Sequence, residues 1–428
     1  ENPSPVVSHR TSPTNIGLAL LANLSAYDFG YISSGQLIER TANTFRTMEA
    51  LERHRGHFYN WYDTQTMKPL LPFYVSTVDS GNLAGHLLTL RSGLLALLDQ
   101  PILGPRCFEG VNDTLSILVD VSETATDHLD QFRTDLESAR NFPPVTHTAA
   151  RLCLERLAHS ASTVTAVYDR RTSLDSETAG DHRAPLQQSD EAWWANALAR
   201  QCQDALDDLT FPAEERNAAI KRLVLQAGQF ANMEYDFLFD KKSRLLAIGY
   251  NASERRQDSS HYDLLASEAR LASFVAIAQG QAQQESWFAL GRLLTNSGGD
   301  TVLVSWSGSM FEYLMPLLVM PTYENTLLDE TYRAAVKRQI EYGEKRGVPW
   351  GISESGYNTI DTQLNYQYRA FGVPGLGFKR GLAGDLVVAP YASALALMVE
   401  PEKACSNLER LAGAGLAGHR HRRGPAEA

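Results

Sequence analysis

The sequence predicts an all-helical protein, and three observations carry that expectation. Apolar residues recur at three- and four-residue spacing through one segment after another. Strands and helices do not alternate regularly, which argues against a Rossmann or TIM-barrel architecture. Between the helical segments lie loops rich in aromatic residues, glycines and carboxylates, with a single alternating stretch breaking the pattern.

The elements are expected in this order. Over 14–29, Ile16, Leu20, Leu24 and Tyr27 fall on one helical face. Over 33–53 the same holds for Leu37, Thr41, Phe45, Met48 and Leu51. Further helices are expected at 82–98, 111–138, 146–168, 191–209 and 213–233. The last opens with Glu214 and Glu215, which suit the positive end of a helix dipole. YDFLFDKKSRLLAIGYN (235–251) alternates about a polar DKKS turn and is expected to be a β-hairpin, the main β element. Helices resume at 262–279, 285–294, 310–320, 328–346, 362–371 and 390–399. No short-period repeat appears.

Composition narrows the function. The chain has 428 residues, 43% of them hydrophobic, enough for a large core in two or three domains or one large toroid. Its net charge of -11 and the lack of any long basic block argue against nucleic-acid binding. The one basic cluster, HRHRR at 419–423, sits beside the C-terminus. Cys107, Cys153, Cys202 and Cys405 are widely spaced, so neither a zinc site nor a disulfide framework is expected. No grouping of His, Cys and Asp suggests a metal, and no cofactor is expected. The Gly-rich VPGLGFKRGLAG lacks the flanking features of a phosphate loop. No run approaches the roughly 20 apolar residues of a membrane helix. The N-terminal ENPSPVVSHRTSPTN is polar and Pro-rich, unlike a signal peptide, and reads as part of something longer.

Four loops suggest chemistry: 56–82, 305–316, VPWGISESGYN at 348–358, and 365–381. Sugars present flat apolar faces ringed by hydroxyls, which aromatics and carboxylates match. Trp61, Trp306, Tyr313, Trp350, Tyr357, Asn358 and Tyr366 are candidate walls of a sugar cleft. The alternative is that such aromatics pack helix ends. Asp63, Asp79, Asp263 and Glu312 are candidate ligands for sugar hydroxyls. Each could equally satisfy loop amides, or a helix N-terminus in the case of Glu312. Glu354 stands on a Gly-flanked loop, either as a catalytic carboxylate or as a cap for a neighbouring N–H. Glu268 is, on its own segment alone, a helix-surface carboxylate near Arg270.

RTSPTNIGLALLANLSAYDFGYI, HFYNWYDTQTMKPLLPFYVSTVDSGNLAGHLLTLRSGL, YDLLASEARLASFVAIAQG, SWSGSMFEYLMPLLVMP and WGISESGYN together resemble the central glycoamylase-like domain of bacterial cyclic β-1,2-glucan synthases, from about residue 10 to 411. The resemblance implies an (α/α)6 toroid over 14–411, after a linker at 1–13 and before an atypical tail at 412–428. It implies a retaining transglycosylase that closes linear β-1,2-glucan into rings, with Glu354 as nucleophile and Glu268 as general acid/base. An endo-β-1,2-glucanase of the same fold and a non-catalytic glucan-holding module are the alternatives. The implied partners are β-1,2-glucan and the glycosyltransferase and phosphorylase-like parts of a parent synthase. The implied location is the cytoplasmic side of a bacterial inner membrane, with no span in this chain. After NLERLAG the family continues with a Gly-Tyr-Gly-Phe-Tyr-Glu-like segment, whereas this chain runs GLAGHRHRRGPAEA. A domain incomplete at its C-terminal end is therefore expected.

Overall fold

The computed structural model describes residues 9–101, 103–104, 106–122, 127–178, 189–360 and 366–414. The expected C-terminal departure beyond 414 lies outside them. Helix dominates. Eight helices come first: α1 (Pro13–Asp28), α2 (Ser34–Ala50), α3 (Thr77–Ala96), α4 (Arg106–Val121), α5 (Asp127–Asn141), α6 (His147–Thr178), α7 (Asp190–Thr210) and α8 (Ala213–Ala231). Six follow: α9 (Ala269–Ala278), α10 (Glu285–Ala289), α11 (Met310–Leu314), α12 (Leu327–Arg346), α13 (Pro390–Ala396) and α14 (Pro401–Gly413).

The chain forms two compact units. One takes the segment through Leu18, Ala50–Thr89 and the segment from Gln229 on; the other takes Ala19–Glu49 and Leu90–Gly228. In the second unit α4, α5, α6 and α7 close on a core that includes Phe108, Leu118, Phe132, Leu154 and Leu198. A buried polar joint fixes the start of α2 in that unit. Asp208 of α7 accepts bonds from the Ser34 hydroxyl at 2.7 Å, the Ser33 hydroxyl at 3.0 Å and the Gly35 N–H at 2.9 Å. A Cβ at position 35 would lie 2.4 Å from Asp208 Oδ1, so the approach requires glycine.

The first unit carries the other core, built on Leu264, Val302, Tyr313, Val336, Trp350 and Leu376. Its β structure is more extensive than expected. The DKKS hairpin forms, pairing Phe239–Asp240 with Leu245–Leu246, and the Asp240 carboxylate accepts from the N–H groups of Lys242 and Ser243. The largest sheet, however, is three-stranded. Gly249–Asn251 pairs with Tyr74–Ser76 on one side and Arg256–Gln257 on the other. Leu294–Ser297 pairs with Asp300–Leu303 across Gly298 and Gly299, both at positive φ as a tight hairpin turn demands.

Several expected helices change for identifiable reasons. The helix of 82–98 starts at Thr77, where the Ser76 hydroxyl accepts from Asp79 N–H and Asp79 occupies the first turn. The helix of 111–138 is two, α4 and α5, and residues 123–126 between them lie outside the described residues. The helix of 262–279 begins only at Ala269, because Ser267 takes a left-handed φ of 51° and breaks the turn before it. Pro316 tightens the end of 310–320 into a 3-10 turn. Over 362–371, Tyr366–Arg369 is a strand and not a helix; it pairs with Ser355–Ile360, and 361–365 lie outside the described residues. Helix α14 was not expected, because its buried positions are Ala404, Asn407 and Leu411, a face too polar to read as periodic.

Asp208→Ala should lower stability by about 1.5–3 kcal/mol, the range for losing a charge-assisted cap. Urea unfolding followed by circular dichroism measures it, and an unchanged midpoint would show that the α2 start is held by something else.

Candidate active site

The site grows from a buried charge. Glu312, third residue of α11 after the N-cap Ser309, is 2% exposed. A carboxylate so placed must be hydrogen-bonded. The Ser307 hydroxyl donates to it at 2.6 Å, the Ser305 hydroxyl at 2.9 Å and the Ser307 N–H at 3.0 Å. The Ser267 N–H reaches its other oxygen at 3.4 Å. The sequence SWSGS thus supplies hydroxyls to one carboxylate and ties the 305–309 loop to the segment before α9.

That segment carries Glu268. Leu264 N–H donates to Gly291 O, Ala266 N–H to Asp263 O, and the chain then turns through Ser267. Glu268 occupies the N-cap position of α9 yet makes no capping bond with its side chain. Its carboxyl is 4% exposed and receives the Ser267 hydroxyl at 2.5 Å. It is therefore no surface partner of Arg270. The Arg270 guanidinium is itself fully buried, donates to the carbonyls of Glu312 and Tyr313, and lies 5.7 Å from the Tyr332 ring.

Glu354 arrives from the opposite part of the sequence. Gln339 of α12 clamps the Ile352 peptide on both sides, accepting from its N–H at 2.8 Å and donating to its carbonyl at 2.9 Å. Gly351 precedes it at a φ of 116°, a conformation that glycine alone takes without strain. Ala389 N–H donates to Gly351 O at 2.9 Å. Ser353 accepts from Phe311 N–H at 3.0 Å, and the Tyr391 hydroxyl reaches Ser353 Oγ at 2.9 Å and Glu354 O at 2.8 Å. The backbone of this loop is thus bonded at Gly351, Ile352 and Glu354, and the carboxylate follows two residues after the clamped Ile352.

Glu268 and Glu354 share one electrostatic neighbourhood. Burial pushes Glu354 up to about 8, reinforced by the charges of Glu268 and Glu312 and opposed by Lys379. Burial pushes Glu268 up to about 7, opposed by the Ser267 bond and reinforced by Asp79 and Glu312. With both carboxyls raised and Glu268 acting on Glu354, near neutral pH the pair holds a proton. Tyr262 and Tyr391 border the pair, and burial raises both phenols.

The other expected site residues divide. Asp79 belongs to the group: it acts on Glu268, accepts from the Thr14 hydroxyl at 2.6 Å, and is raised by burial. With its amide turned to satisfy both neighbours, Asn60 donates to Asp79 and accepts from the Trp61 indole. Trp61 is partly exposed, with Arg10 4.8 Å above its ring. Trp306 is 63% exposed, and its carbonyl accepts from Lys379 N–H, which sets it beside the cation that acts on Glu354. Asp263 is exposed beside Gly291. Asp63 closes its own turn, accepting from the N–H groups of Gln65 and Thr66. Three expected residues turn inward. Glu312 is committed to serines, Tyr313 is wholly buried with its hydroxyl on the Leu303 and Leu376 carbonyls, and Trp350 packs in the core against Gly343. Tyr357, Asn358 and Tyr366 lie on the paired strands Ser355–Ile360 and Tyr366–Arg369, and their side chains fall outside the described residues.

Sequence reasoning missed Ser267, Lys379 and Tyr391. Ser267 was legible only as a neighbour of Glu268 in LLASEA. Nothing local marks Lys379 or Tyr391, which act through folding alone.

Known proteins place this geometry in context. A family model described as putative glucoamylase matches residues 260–428. Cyclic beta-(1,2)-glucan synthase NdvB of Rhizobium meliloti (strain 1021) is 40% identical over 438 aligned positions, covering 98% of this chain. Nearly the whole chain is similar to part of that synthase. It spans 15% of the synthase's length. Among solved structures, a putative glucoamylase from Bacteroides fragilis NCTC 9343 aligns with a TM-score of 0.53 at 12% identity, over 97% of this chain and 74% of that one. An endo-beta-1,2-glucanase from Chitinophaga pinensis aligns with a TM-score of 0.49 at 13% identity, over 96% and 73%. The first structural likeness establishes the fold: the all-helical, glycoamylase-like (α/α)6 class, with small β insertions.

The raised carboxyls have a consequence for stability. From about pH 4.5 to 8 the folded chain binds more protons at Glu268 and Glu354 than the unfolded chain does, so stability falls as pH rises through that window. Glu354→Gln removes one contributor. Its unfolding midpoint should rise relative to the parent between pH 5 and pH 8, by the equivalent of roughly 1–3 kcal/mol. A difference that stays flat with pH would mean the carboxyl is not desolvated.

Proposed function

We propose that the chain is a retaining transglycosylase acting on linear β-1,2-glucan and forming cyclic β-1,2-glucan within a larger synthase. The observation that carries this reading is the pair Glu268 and Glu354. They come from separate segments, and the charge of Glu268 raises Glu354, in a chain 40% identical across 98% of its length to a cyclic β-(1,2)-glucan synthase. Retention needs two carboxyl groups in opposite protonation states. A pair sharing a proton near neutrality meets that need. In the substrate-free site Glu354, pushed up to about 8, holds the proton more tightly than Glu268 at about 7, so these roles require the proton to pass to Glu268 when glucan binds; Lys379 favours the anion on Glu354.

The steps follow. The Glu354 carboxylate attacks the anomeric carbon as the glycosidic C–O bond breaks, and the Glu268 proton passes to the departing oxygen. Glu268, now ionised, takes the proton from the 2-hydroxyl at the chain's own non-reducing end. That oxygen attacks the anomeric carbon, Glu354 is released, and the ring closes. Trp306, whose carbonyl accepts from Lys379 N–H, and Phe378, next to Lys379 in sequence, are both exposed and offer apolar faces to sugar rings. Glycosyltransferase and phosphorylase-like parts of a parent protein would make and trim the linear chain, on the cytoplasmic side of an inner membrane. Among the described residues no helix is long and apolar enough to cross a membrane.

Purified chain incubated with linear β-1,2-glucan should give rings, resolved by mass spectrometry. Shorter linear chains alone would make it a hydrolase, with water intercepting the glycosyl-enzyme. Binding without turnover would make it a holding module. Glu354→Gln should lose at least about 10³-fold in turnover while still binding glucan. Glu268→Ala should be rescued in part by an activated donor plus azide, giving a β-glycosyl azide. An α-azide would indicate single displacement and an inverting enzyme.

A further inference from the structure

Ser267 is the unusual residue of the site. Its φ of 51° lies in the left-handed region, which residues bearing a Cβ seldom enter. Such conformations persist where the surroundings over-determine them. Here Ser267 N–H is held by Glu312, which is held in turn by Ser305 and Ser307. Glycine would take this backbone more readily. What serine adds is the hydroxyl, and its hydrogen goes to Glu268 Oε2 at 2.5 Å.

We infer that Ser267 is a positioning residue for the acid/base: it occupies Glu268 Oε2 and thereby leaves the transferable proton on Oε1. The inference rests on the acid/base role proposed above for Glu268. The left-handed turn aims the carboxyl, and Glu312 fixes the turn. Other groups act on the same carboxyl: Asp79 of α3, Glu312 of α11, Glu354, Tyr262, Arg270 and Tyr391 of α13. None of these is removed by changing the hydroxyl, so its share can be read separately. Because a donor to the carboxylate favours the anion, deleting it raises the carboxyl pKa.

The test uses Ser267→Ala and Ser267→Gly. Ala keeps the backbone penalty; Gly relieves it, so Gly guards against a variant that merely folds poorly. Both should lower kcat on unactivated β-1,2-glucan about tenfold with KM nearly unchanged. Both should leave turnover of an activated donor, which needs no proton, close to the parent rate. The alkaline limb of the pH profile should move up by about one unit in both. Carbon-13 titration of the Glu268 carboxyl reads the same shift without turnover. A Ser267→Gly protein with the parent's titration and pH limb would overturn the inference. Glu268→Gln separates the two failures. If it abolishes turnover of unactivated glucan while Ser267→Gly changes nothing, only the positioning role falls. If it leaves turnover intact, the acid/base role falls and this inference with it.

Discussion

The first unit depends on solvating one buried anion. Glu312 cannot be held at 2% exposure without donors, and the donors come from segments far apart in sequence. Its own helix start supplies Ser309, the loop before it supplies Ser305 and Ser307, and the turn before α9 supplies the Ser267 N–H. Each donor fixes a piece of backbone. Satisfying the charge therefore ties the turn that carries Glu268 to the loop before α11. The same charge raises both Glu268 and Glu354, so scaffolding and electrostatic tuning are one act.

How much of this the sequence revealed depends on the range of the forces involved. Helices with clear apolar faces were legible, including α2 with Leu37, Thr41, Phe45 and Met48, and α12, expected over 328–346 and found at Leu327–Arg346. The DKKS hairpin was legible because its turn is made by one Asp240 side chain acting locally. The strand at Tyr366–Arg369 was not. Its pairing partner is another segment, and only that partner decides strand over helix. Helix α14 was missed because tertiary hydrogen bonds place Asn407 in the core, where it grips the backbone of Trp350 at N–H and carbonyl. Glu268 and Glu354 were singled out as candidates by resemblance, and the fold brings them into one electrostatic neighbourhood. The residues that tune them, Lys379 above all, could be found only in three dimensions.

Aromatic density in loops proved a mixed signal. Trp306 and Trp61 reach the surface, whereas Trp350 and Tyr313 fill the core beneath. The difference follows from the neighbours. Trp350 faces Gly343, where no side chain stands in the way, and Tyr313 finds two carbonyls for its hydroxyl inside. An aromatic that can place its polar atom internally is as useful to packing as to recognition, and local sequence does not say which.

The clamp of Gln339 on the Ile352 peptide gives α12 the part of a neighbouring strand, since one amide side chain supplies both the donor and the acceptor that a β-partner would. The anchor sits just before Glu354, and the hairpin of Ser355–Ile360 and Tyr366–Arg369 comes just after it. Position and variation are thereby decoupled. The hairpin can lengthen, shorten or change its side chains while the carboxylate stays where α12 puts it. Such a layout lets a lineage alter the surface beside Glu354 without disturbing the backbone that holds it.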